Sequence, residues 1–376
     1  MAKTTQVYRG LDGVIVDETS ISKVMPETNS LTYRGYPVQD LCKFCCFEEV
    51  AYLLWYGELP NRSQLRSFKN KEKNLRQLSR NTLGVIKKFP KRAHPMDTIR
   101  TAVSYLGTNE IAWGGEPCEN DMSRSLALLS KIPTLIASDY RYRQGRKRIS
   151  PRTDLSFSEN FLHMCFGKVP PKKVVKAFDV SLILYAEHSF NASTFATRVV
   201  TSTMSDIYSA VTAGIGALKG PLHGGANEAV MHMLLDIGSA DKAEAWLRKA
   251  FLKKRVVMGF GHRVYKWGDS RVPTMRSCLE DLSQWKNDRK WIEIEDVLEG
   301  IMVKEKKIHP NLDYPAGPAY YLMGFEIDMF TPIFVMSRIT GWTAHYMEQN
   351  AANRLIRPLS AYKGVKERRV KPLAKR

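Results

Sequence analysis

Residues 332–353, PIFVMSRITGWTAHYMEQNAAN, set the class of fold. Apolar side chains recur along this stretch at the three- and four-residue spacing of a helix that packs against a core. Thr331 can cap the helix, and Pro332 suits its first position because the N–H that proline lacks needs no partner there. The sequence therefore predicts a mainly α protein. Similar spacing predicts helices over residues 48–57, 95–107, 124–143, 173–188, 194–218, 226–236 and 241–254.

The N-terminal region has a different character. The segments 10-GLDGVIVDETSISKV-24 and 31-LTYRGY-36 carry β-branched residues separated by turn-forming residues, which predicts a short β segment. Two breaks interrupt the helical pattern further on, at 214-GIGALKGPLHGG-225 and at 330-FTP-332. We expect them to be hinges between a large helical domain (1–219 and 332–376) and a small helical domain (220–331).

Composition limits the class of protein. The chain has 376 residues, 44% hydrophobic and 25% charged, as in ordinary globular domains. It has no apolar run of membrane-spanning length and no apolar block of a signal peptide at its start, so we expect a cytoplasmic protein without membrane association. The cluster 42-CKFCC-46 has no second Cys or His pair at ligand spacing. Residues 41–57 are better interpreted as one amphipathic helix with buried thiols, and we expect no metal.

The net charge of +19 is unusual. It is compatible with nucleic acid, with acidic membranes and with polyanionic small molecules. The basic residues are spread over 69–80, 87–92, 141–148 and 363–376, without the interleaved aromatic residues of a single-strand binder. A solvated basic surface is the favoured interpretation. A basic helical nucleic-acid-binding protein is the alternative from another class, but it leaves the polar residues described next unexplained.

Three glycine- and proline-broken segments carry the residues best suited to catalysis: 220-GPLHGGANEAV-230, 258-MGFGHRVYKWGDSR-271 and 309-HPNLDYPAG-317. His223 lies just before a predicted helix, whose positive end favours a neutral imidazole that can donate a hydrogen bond. Asp313 lies among apolar and aromatic residues, which should raise its pKa and make it a better base. Taken singly, His223 could be an ordinary residue at a helix start, and Asp313 a turn or cap residue.

Other residues in these and later segments suggest anion binding. Gly259, Phe260 and Gly261 form a turn that presents His262, Arg263, Lys266 and Arg271, a reasonable clamp for an anion. His188 lies between two helices, the second capped by Asn191. Arg338 lies on an apolar helix and needs an anionic partner if it is buried. Arg357 follows in 354-RLIRPLSAY-362.

Taken together and in this order, these segments resemble the citrate synthase family. The likeness covers nearly the whole chain and rests on YRGYPVQDL (33–41), EHSFNAST (187–194), GPLHGGAN (220–227), GFGHRVY (259–265), PNLDYPAGPAYYLMG (310–324) and RPLSAY (357–362). It implies a mainly α, two-domain homodimer with shared active sites. It also implies condensation of an acyl-CoA with oxaloacetate and hydrolysis of the thioester. No permanently bound cofactor is expected, and acyl-CoA is a cosubstrate.

The resemblance also implies roles for individual residues. Asp313 would be the base, His223 would stabilise the enol, and His262 would act as acid toward the oxaloacetate carbonyl. Oxaloacetate would be bound by His188, Arg271, Arg338 and, from the partner subunit, Arg357. CoA would be contacted by Lys266, Gly259, Phe260, Gly261 and Arg263.

The choice of acyl group rests on finer detail. YAEHSFNAST (185–194), TPIFVMSRITGWTAH (331–345) and NRLIRPLSAY (353–362) look more like the 2-methylcitrate synthases of this family, which use propionyl-CoA. Leu312 adjoins the predicted base and Tyr185 lies one helical turn before His188, so both are candidate walls for the acyl group. The alternative is citrate synthase proper, which uses acetyl-CoA. One methyl group discriminates by only about 1–3 kcal/mol.

Overall fold

The computed structural model describes residues 7–108, 120–265 and 267–376, and this part of the chain is mainly helical, as predicted. The predicted CoA contact Lys266 lies outside the described residues. The helices are α1 (Val38–Phe44), α2 (Phe47–Tyr56), α3 (Arg62–Asn74), α4 (Arg80–Ile86), α5 (Pro95–Thr108), α6 (Asp121–Arg143), α7 (Phe157–Phe166), α8 (Lys172–Tyr185), α9 (Ala192–Ser202), α10 (Ile207–Leu218), α11 (Ala226–Ile237), α12 (Ala240–Leu252), α13 (Val272–Lys286), α14 (Lys290–Ile301), α15 (Asp313–Met323) and α16 (Phe330–Ala351).

A small antiparallel sheet precedes the helices. Its strands, in spatial order, are β1 (Ser22–Met25), β2 (Ser30–Tyr33) and β3 (Tyr36–Pro37). The predicted strand character of residues 14–16 is wrong: no strand includes them, and Ile15 is 91% exposed. The sheet also supports the interior, since the buried hydroxyl of Tyr33 lies 3.0 Å from the carbonyl oxygen of Ile183 and 2.9 Å from that of Glu187.

Two predicted single helices are in fact pairs. Residues 41–57 divide into the end of α1 and α2 because Cys45 and Cys46 are extended, and the Cys46 N–H donates to the Glu49 carboxylate at 2.8 Å. Residues 194–218 divide into α9 and α10, and Asp206 caps the second by accepting from the Ser209 N–H at 3.0 Å. Local side-chain caps compete with helix continuation at such positions.

Helix α16 is buried along most of its length and packs against α6, α8, α9 and α10. It begins at Phe330, so the prediction that Thr331 caps it is wrong. The Thr331 hydroxyl instead contacts a carboxylate oxygen of Glu228 on α11. The predicted domain boundaries at 219/220 and 331/332 stay a prediction.

The five cysteines among the described residues are buried or half-buried, and Cys118 lies outside the described residues. Cys42 and Cys165 are buried, Cys45, Cys46 and Cys278 are half-buried, and the described chain contains no cluster of three or more potential metal ligands. None of the helices described combines the length and the apolar character needed to cross a membrane.

Candidate active site

A short backbone pairing brings two of the predicted catalytic segments together. The Gly261 N–H donates to the His309 carbonyl at 2.9 Å, and the Asn311 N–H donates to the Gly259 carbonyl at 2.9 Å. Phe260 faces Pro310 in this pairing. This antiparallel pairing ties the segment that carries His262 to the segment that carries Asp313.

Asp313 is the first residue of α15 rather than a turn residue. Its carboxylate accepts a hydrogen bond of 2.7 Å from the Tyr185 hydroxyl. Burial raises the pKa of the Asp313 carboxyl to about 6, against the lowering effects of that hydrogen bond and of Arg271. A carboxyl group with this pKa is ionised near neutral pH and is a stronger base than an exposed aspartate.

His262 is held in one orientation by backbone donors. Its Nδ1 accepts from the N–H groups of Val264 at 3.0 Å and Tyr265 at 3.1 Å. Burial, and then the charge of Arg271, lowers the pKa of His262 to about 4. The ring is therefore neutral near pH 7, and because Nδ1 is an acceptor the proton lies on Nε2, which can donate it.

His223 lies just before α11, as predicted, and contacts the start of α9. Its Nε2 accepts from the Ser193 N–H at 3.3 Å and lies 2.8 Å from the Ser193 hydroxyl. Burial, and then Arg338, lowers the pKa of His223 to about 3. The histidine is neutral, as expected, although burial rather than the helix end is the main cause. With Nε2 accepting, Nδ1 carries the proton and is the donor.

His188 has no partner for one ring nitrogen. Only 7% of the residue is exposed, and Nε2 makes no hydrogen bond to any described residue. Its ring centre lies 5.0 Å from that of His262. A buried polar atom without a partner is costly in a folded protein, so an unpaired imidazole nitrogen beside His262 indicates a place for a ligand. This distinguishes His188 from an ordinary core histidine.

Arg338 is a buried cation with an open donor. The residue is 1% exposed, Nε donates to the Tyr185 carbonyl at 2.7 Å, and Nη1 has no partner in the described chain. Burial lowers the pKa of Arg338 to about 10, while the nearby Glu187 carboxylate opposes that change. The guanidinium remains charged at neutral pH and is available for an anion.

Arg271 forms an ion pair with Asp269, which was not among the predicted site residues. Its Nε and Nη2 donate to the two carboxylate oxygens of Asp269, at 2.9 and 2.7 Å. Asp269 also accepts from the N–H of Leu312 at 3.1 Å. The buried Asp269 therefore links the arginine predicted to bind oxaloacetate to the start of the helix that carries Asp313. The signal was present in the sequence as 269-DSR-271, an acidic residue two positions before the arginine.

A second buried polar group was also missed. Glu187 Oε1 lies 2.9 Å from Nε2 of His345 and accepts from the Ser22 hydroxyl at 3.0 Å. His345 Nδ1 in turn lies 3.1 Å from the guanidinium of Arg198. This network fixes the backbone immediately before His188 and supplies a negative charge near Arg338. In the sequence, Glu187 is distinguished only by its place before His188.

Two of the residues predicted to bind CoA, Gly259 and Arg263, contact other parts of the chain. Gly259 has a φ of +81°, and a Cβ there would lie 2.8 Å from side-chain atoms of Tyr314 and of Val230. The packing of Tyr314 and Val230 therefore leaves no room for a side chain at this position. The exposed Arg263 donates to the Gly10 carbonyl at 3.0 Å. Whether Gly259, Phe260, Gly261 and Arg263 contact CoA stays a prediction.

The remaining predicted site residues differ in position. Tyr185 and Leu312 are both 1% exposed and lie beside Asp313. The polar end of Tyr185 binds the carboxylate, which a purely apolar wall would not do. Arg357 lies beyond α16 in an exposed extended segment, and the single chain does not bring it to the other residues. These positions do not test the predicted roles of Tyr185, Leu312 and Arg357, which stay predictions.

The comparisons with known proteins agree with the geometry. A model of the family described as "Citrate synthase, C-terminal domain" matches residues 10–359. A citrate synthase from Mycolicibacterium smegmatis is 58% identical over 98% of both chains. A 2-methylcitrate synthase from Mycobacterium tuberculosis is 56% identical over 96% of this chain and 92% of its own.

Solved structures show the same fold. Citrate synthase from Thermotoga maritima superposes with a TM-score of 0.89 at 39% identity, over 99% of each chain. The Thermoplasma acidophilum citrate synthase, solved as a ternary complex with carboxymethyl coenzyme A and oxaloacetate, gives a TM-score of 0.93 at 33% identity, over 99% of this chain and 100% of that one.

The chain therefore belongs to the citrate synthase family. It is a condensing acyltransferase of the citrate and 2-methylcitrate synthase type, which joins an acyl-CoA to oxaloacetate. The alternative of a basic nucleic-acid-binding protein is not favoured.

Proposed function

We propose that the chain condenses propionyl-CoA with oxaloacetate and water to give 2-methylcitrate and CoA, and that it also accepts acetyl-CoA. The observation that carries this proposal is the pair of buried, unpartnered nitrogens, His188 Nε2 and Arg338 Nη1, in the same interior region as Asp313. Oxaloacetate is a dianion with a carbonyl group, and its oxygens can accept from Arg338 Nη1 and from a His188 tautomer that is protonated on Nε2.

The proposed reaction begins at the acyl-CoA. Asp313 removes the α-proton, and His223 donates a hydrogen bond from Nδ1 to the thioester oxygen as it becomes enolate. A neutral imidazole suits this role because its proton stays available without adding a full charge. The Tyr185 hydrogen bond keeps the Asp313 carboxylate in place before it accepts the proton.

Carbon–carbon bond formation follows. The enolate carbon attacks the ketone carbon of oxaloacetate, and His262 donates its Nε2 proton to the carbonyl oxygen as negative charge develops there. His188, Arg271 and Arg338 hold oxaloacetate, with Arg357 contributed by the partner subunit of a homodimer. Water then hydrolyses the thioester and releases CoA. Exclusion of water before that step would require the small domain to close over the substrates.

The preference for propionyl-CoA is the finer part of the proposal. The apolar parts of Leu312 and Tyr185 beside Asp313 favour one additional methyl group, worth about 0.8 kcal/mol. We therefore expect kcat/KM for propionyl-CoA to exceed that for acetyl-CoA by several-fold. The test is the rate of CoA release from each thioester with oxaloacetate present. A clear preference for acetyl-CoA would instead indicate citrate synthase proper, the activity named for the Mycolicibacterium smegmatis relative.

A further inference from the structure

His188 lies on the turn between α8 and α9, residues 186–191. The next residue, Ser189, has a φ of +52°, in the left-handed region that residues other than glycine rarely adopt. A backbone in this region is strained and persists only where the surrounding structure holds it. The turn that presents the unpaired Nε2 of His188 therefore depends on support from other elements.

The N-terminal sheet supplies that support through two hydroxyl groups. Ser22 on β1 and Tyr33 on β2 are directly opposed in the antiparallel pairing. Directly opposed side chains lie next to each other on one face of a sheet. Ser22 is 8% exposed, and Tyr33 is fully buried. The sheet therefore presents two adjacent hydroxyls to the interior.

The Ser22 hydroxyl joins the two neighbours of His188. It accepts from the Ser189 N–H at 2.9 Å and donates to Glu187 Oε1 at 3.0 Å. The Glu187 carboxylate is also held from its other side, because the same oxygen lies 2.9 Å from His345 Nε2. Ser22 thus ties the strained residue after His188 to a buried carboxylate that is itself fixed in place.

The Tyr33 hydroxyl fixes the backbone on the other side of His188. It accepts from the Glu187 N–H at 3.3 Å and donates to the Glu187 carbonyl at 2.9 Å. The main chain before His188 is therefore bonded to Tyr33, and the main chain after it is bonded to Ser22. These bonds all go to the residues that flank His188, so the sheet acts on the main chain that carries the imidazole.

We propose that Ser22 and Tyr33 are positioning residues for oxaloacetate binding and that they act through His188. The proposal rests on the proposed role of His188 in holding oxaloacetate. A shift of about 1 Å is enough to spoil a buried hydrogen bond between an imidazole and its ligand, and an unmade buried bond costs affinity. The N-terminal sheet therefore contributes to substrate binding through the turn that it supports.

Calorimetric titration of the full-length enzyme with oxaloacetate tests the proposal. Ser22→Ala and Tyr33→Phe should each weaken oxaloacetate binding by at least about fivefold, while KM for the acyl-CoA stays within about twofold of the wild-type value. Ser158→Ala is the matched control, because it removes a buried hydroxyl that donates to the Asp179 carboxylate at 2.6 Å, away from this turn. The control should lose stability without any change in oxaloacetate affinity.

A double-mutant cycle separates positioning from general support of the fold. His188→Ala should weaken oxaloacetate binding by at least about tenfold. Because Ser22 acts through His188, Ser22→Ala/His188→Ala should bind oxaloacetate within about twofold of His188→Ala alone. A further fivefold loss in the double variant would overturn the proposal, since it would show an effect of Ser22 that does not pass through His188.

Two other results would also overturn the proposal, and they differ in what they imply for the proposed function. Wild-type affinity in Ser22→Ala, together with weak binding in His188→Ala, would remove the positioning role and leave His188 as an oxaloacetate ligand. Wild-type affinity in His188→Ala would contradict the proposed binding role of His188 itself, and the positioning role would fail with it.

Discussion

At the scale of single residues, the proposed chemistry depends on how burial changes proton affinities. Burial raises the pKa of Asp313 to about 6 and lowers those of His223 and His262 to about 3 and about 4. The same physical cause therefore produces a stronger base and two neutral hydrogen-bond donors within one site. These opposite directions follow from which protonation state of each group carries the charge.

Tyr185→Phe tests whether the Tyr185 hydroxyl sets the pKa of the proposed base, Asp313. The Tyr185 hydroxyl stabilises the ionised Asp313 carboxylate, so its removal should raise the pKa of Asp313 above about 6. Since the base acts only when ionised, the acid limb of the kcat/KM profile should move to higher pH, with a larger loss of activity at pH 6 than at pH 8. Tyr36→Phe, which removes an exposed hydrogen bond to Glu58, is the control. An acid limb at the wild-type position would contradict this role for Tyr185.

Much of the candidate site could be predicted residue by residue, but its long-range contacts could not. The histidines, Asp313 and the buried Arg338 follow from motif and context, and the Asp269–Arg271 pair has a local signal in 269-DSR-271. The hydrogen bond from the Leu312 N–H to Asp269 joins residues 43 positions apart. The Glu187–His345 contact joins residues 158 positions apart. Neither has a local sequence pattern that predicts it.

At the scale of elements, helices with a clear apolar stripe were predictable and the others were not. Helix α3, RSQLRSFKNKEKN, buries only Phe68 and Glu72 and offers almost no apolar periodicity. Helix α15, DYPAGPAYYLM, contains two prolines and a glycine, which favour a turn on sequence grounds. Pro315 falls in its first turn, where proline is tolerated, and tertiary packing stabilises the rest.

Gly259→Ala tests the backbone pairing between the segments that carry His262 and Asp313. The added Cβ would meet Tyr314 and Val230 at 2.8 Å, and the φ of +81° is unfavourable for alanine. A displacement of about 1 Å between reacting groups can cost about 100-fold in rate, and we expect a loss of that size in kcat. Gly57→Ala is the matched control, since its φ is +88° but no atom lies within 4 Å of the added Cβ.

The control should lose about 1 kcal/mol of stability and keep its activity. The two variants therefore separate backbone strain, which they share, from displacement of the site, which only Gly259→Ala causes. Wild-type kcat in Gly259→Ala would show that the pairing does not position the catalytic residues.

At the scale of the whole molecule, residues beyond α16 have few partners within one chain. Leu359 and Tyr362 are 89% and 77% exposed, as are most residues of this segment. Exposed apolar side chains next to Arg357 favour the proposed partner subunit as the surface that covers them. The sequence could not show that the basic runs 87–92 and 141–148 meet, because that depends on how α4 packs against α6.

Mixing two inactive variants tests the shared site. Arg357→Ala and His223→Ala should each be severely impaired, because one removes a binding charge and the other a hydrogen-bond donor. In a mixed homodimer, one site would combine His223 of one chain with Arg357 of the other. Random exchange of equal amounts should thus restore about one quarter of wild-type CoA release. No recovery under conditions where subunits exchange would place Arg357 in its own chain's site or outside the site.

The most direct test of the whole account is oxaloacetate-dependent CoA release from propionyl-CoA by wild type and by Asp313→Asn. Wild type should release CoA only when oxaloacetate is present. Because an amide cannot take the α-proton, the variant should be slower by about 10²–10⁴-fold while binding oxaloacetate with unchanged affinity. A variant within about threefold of the wild-type rate would contradict the assignment of Asp313 as the base.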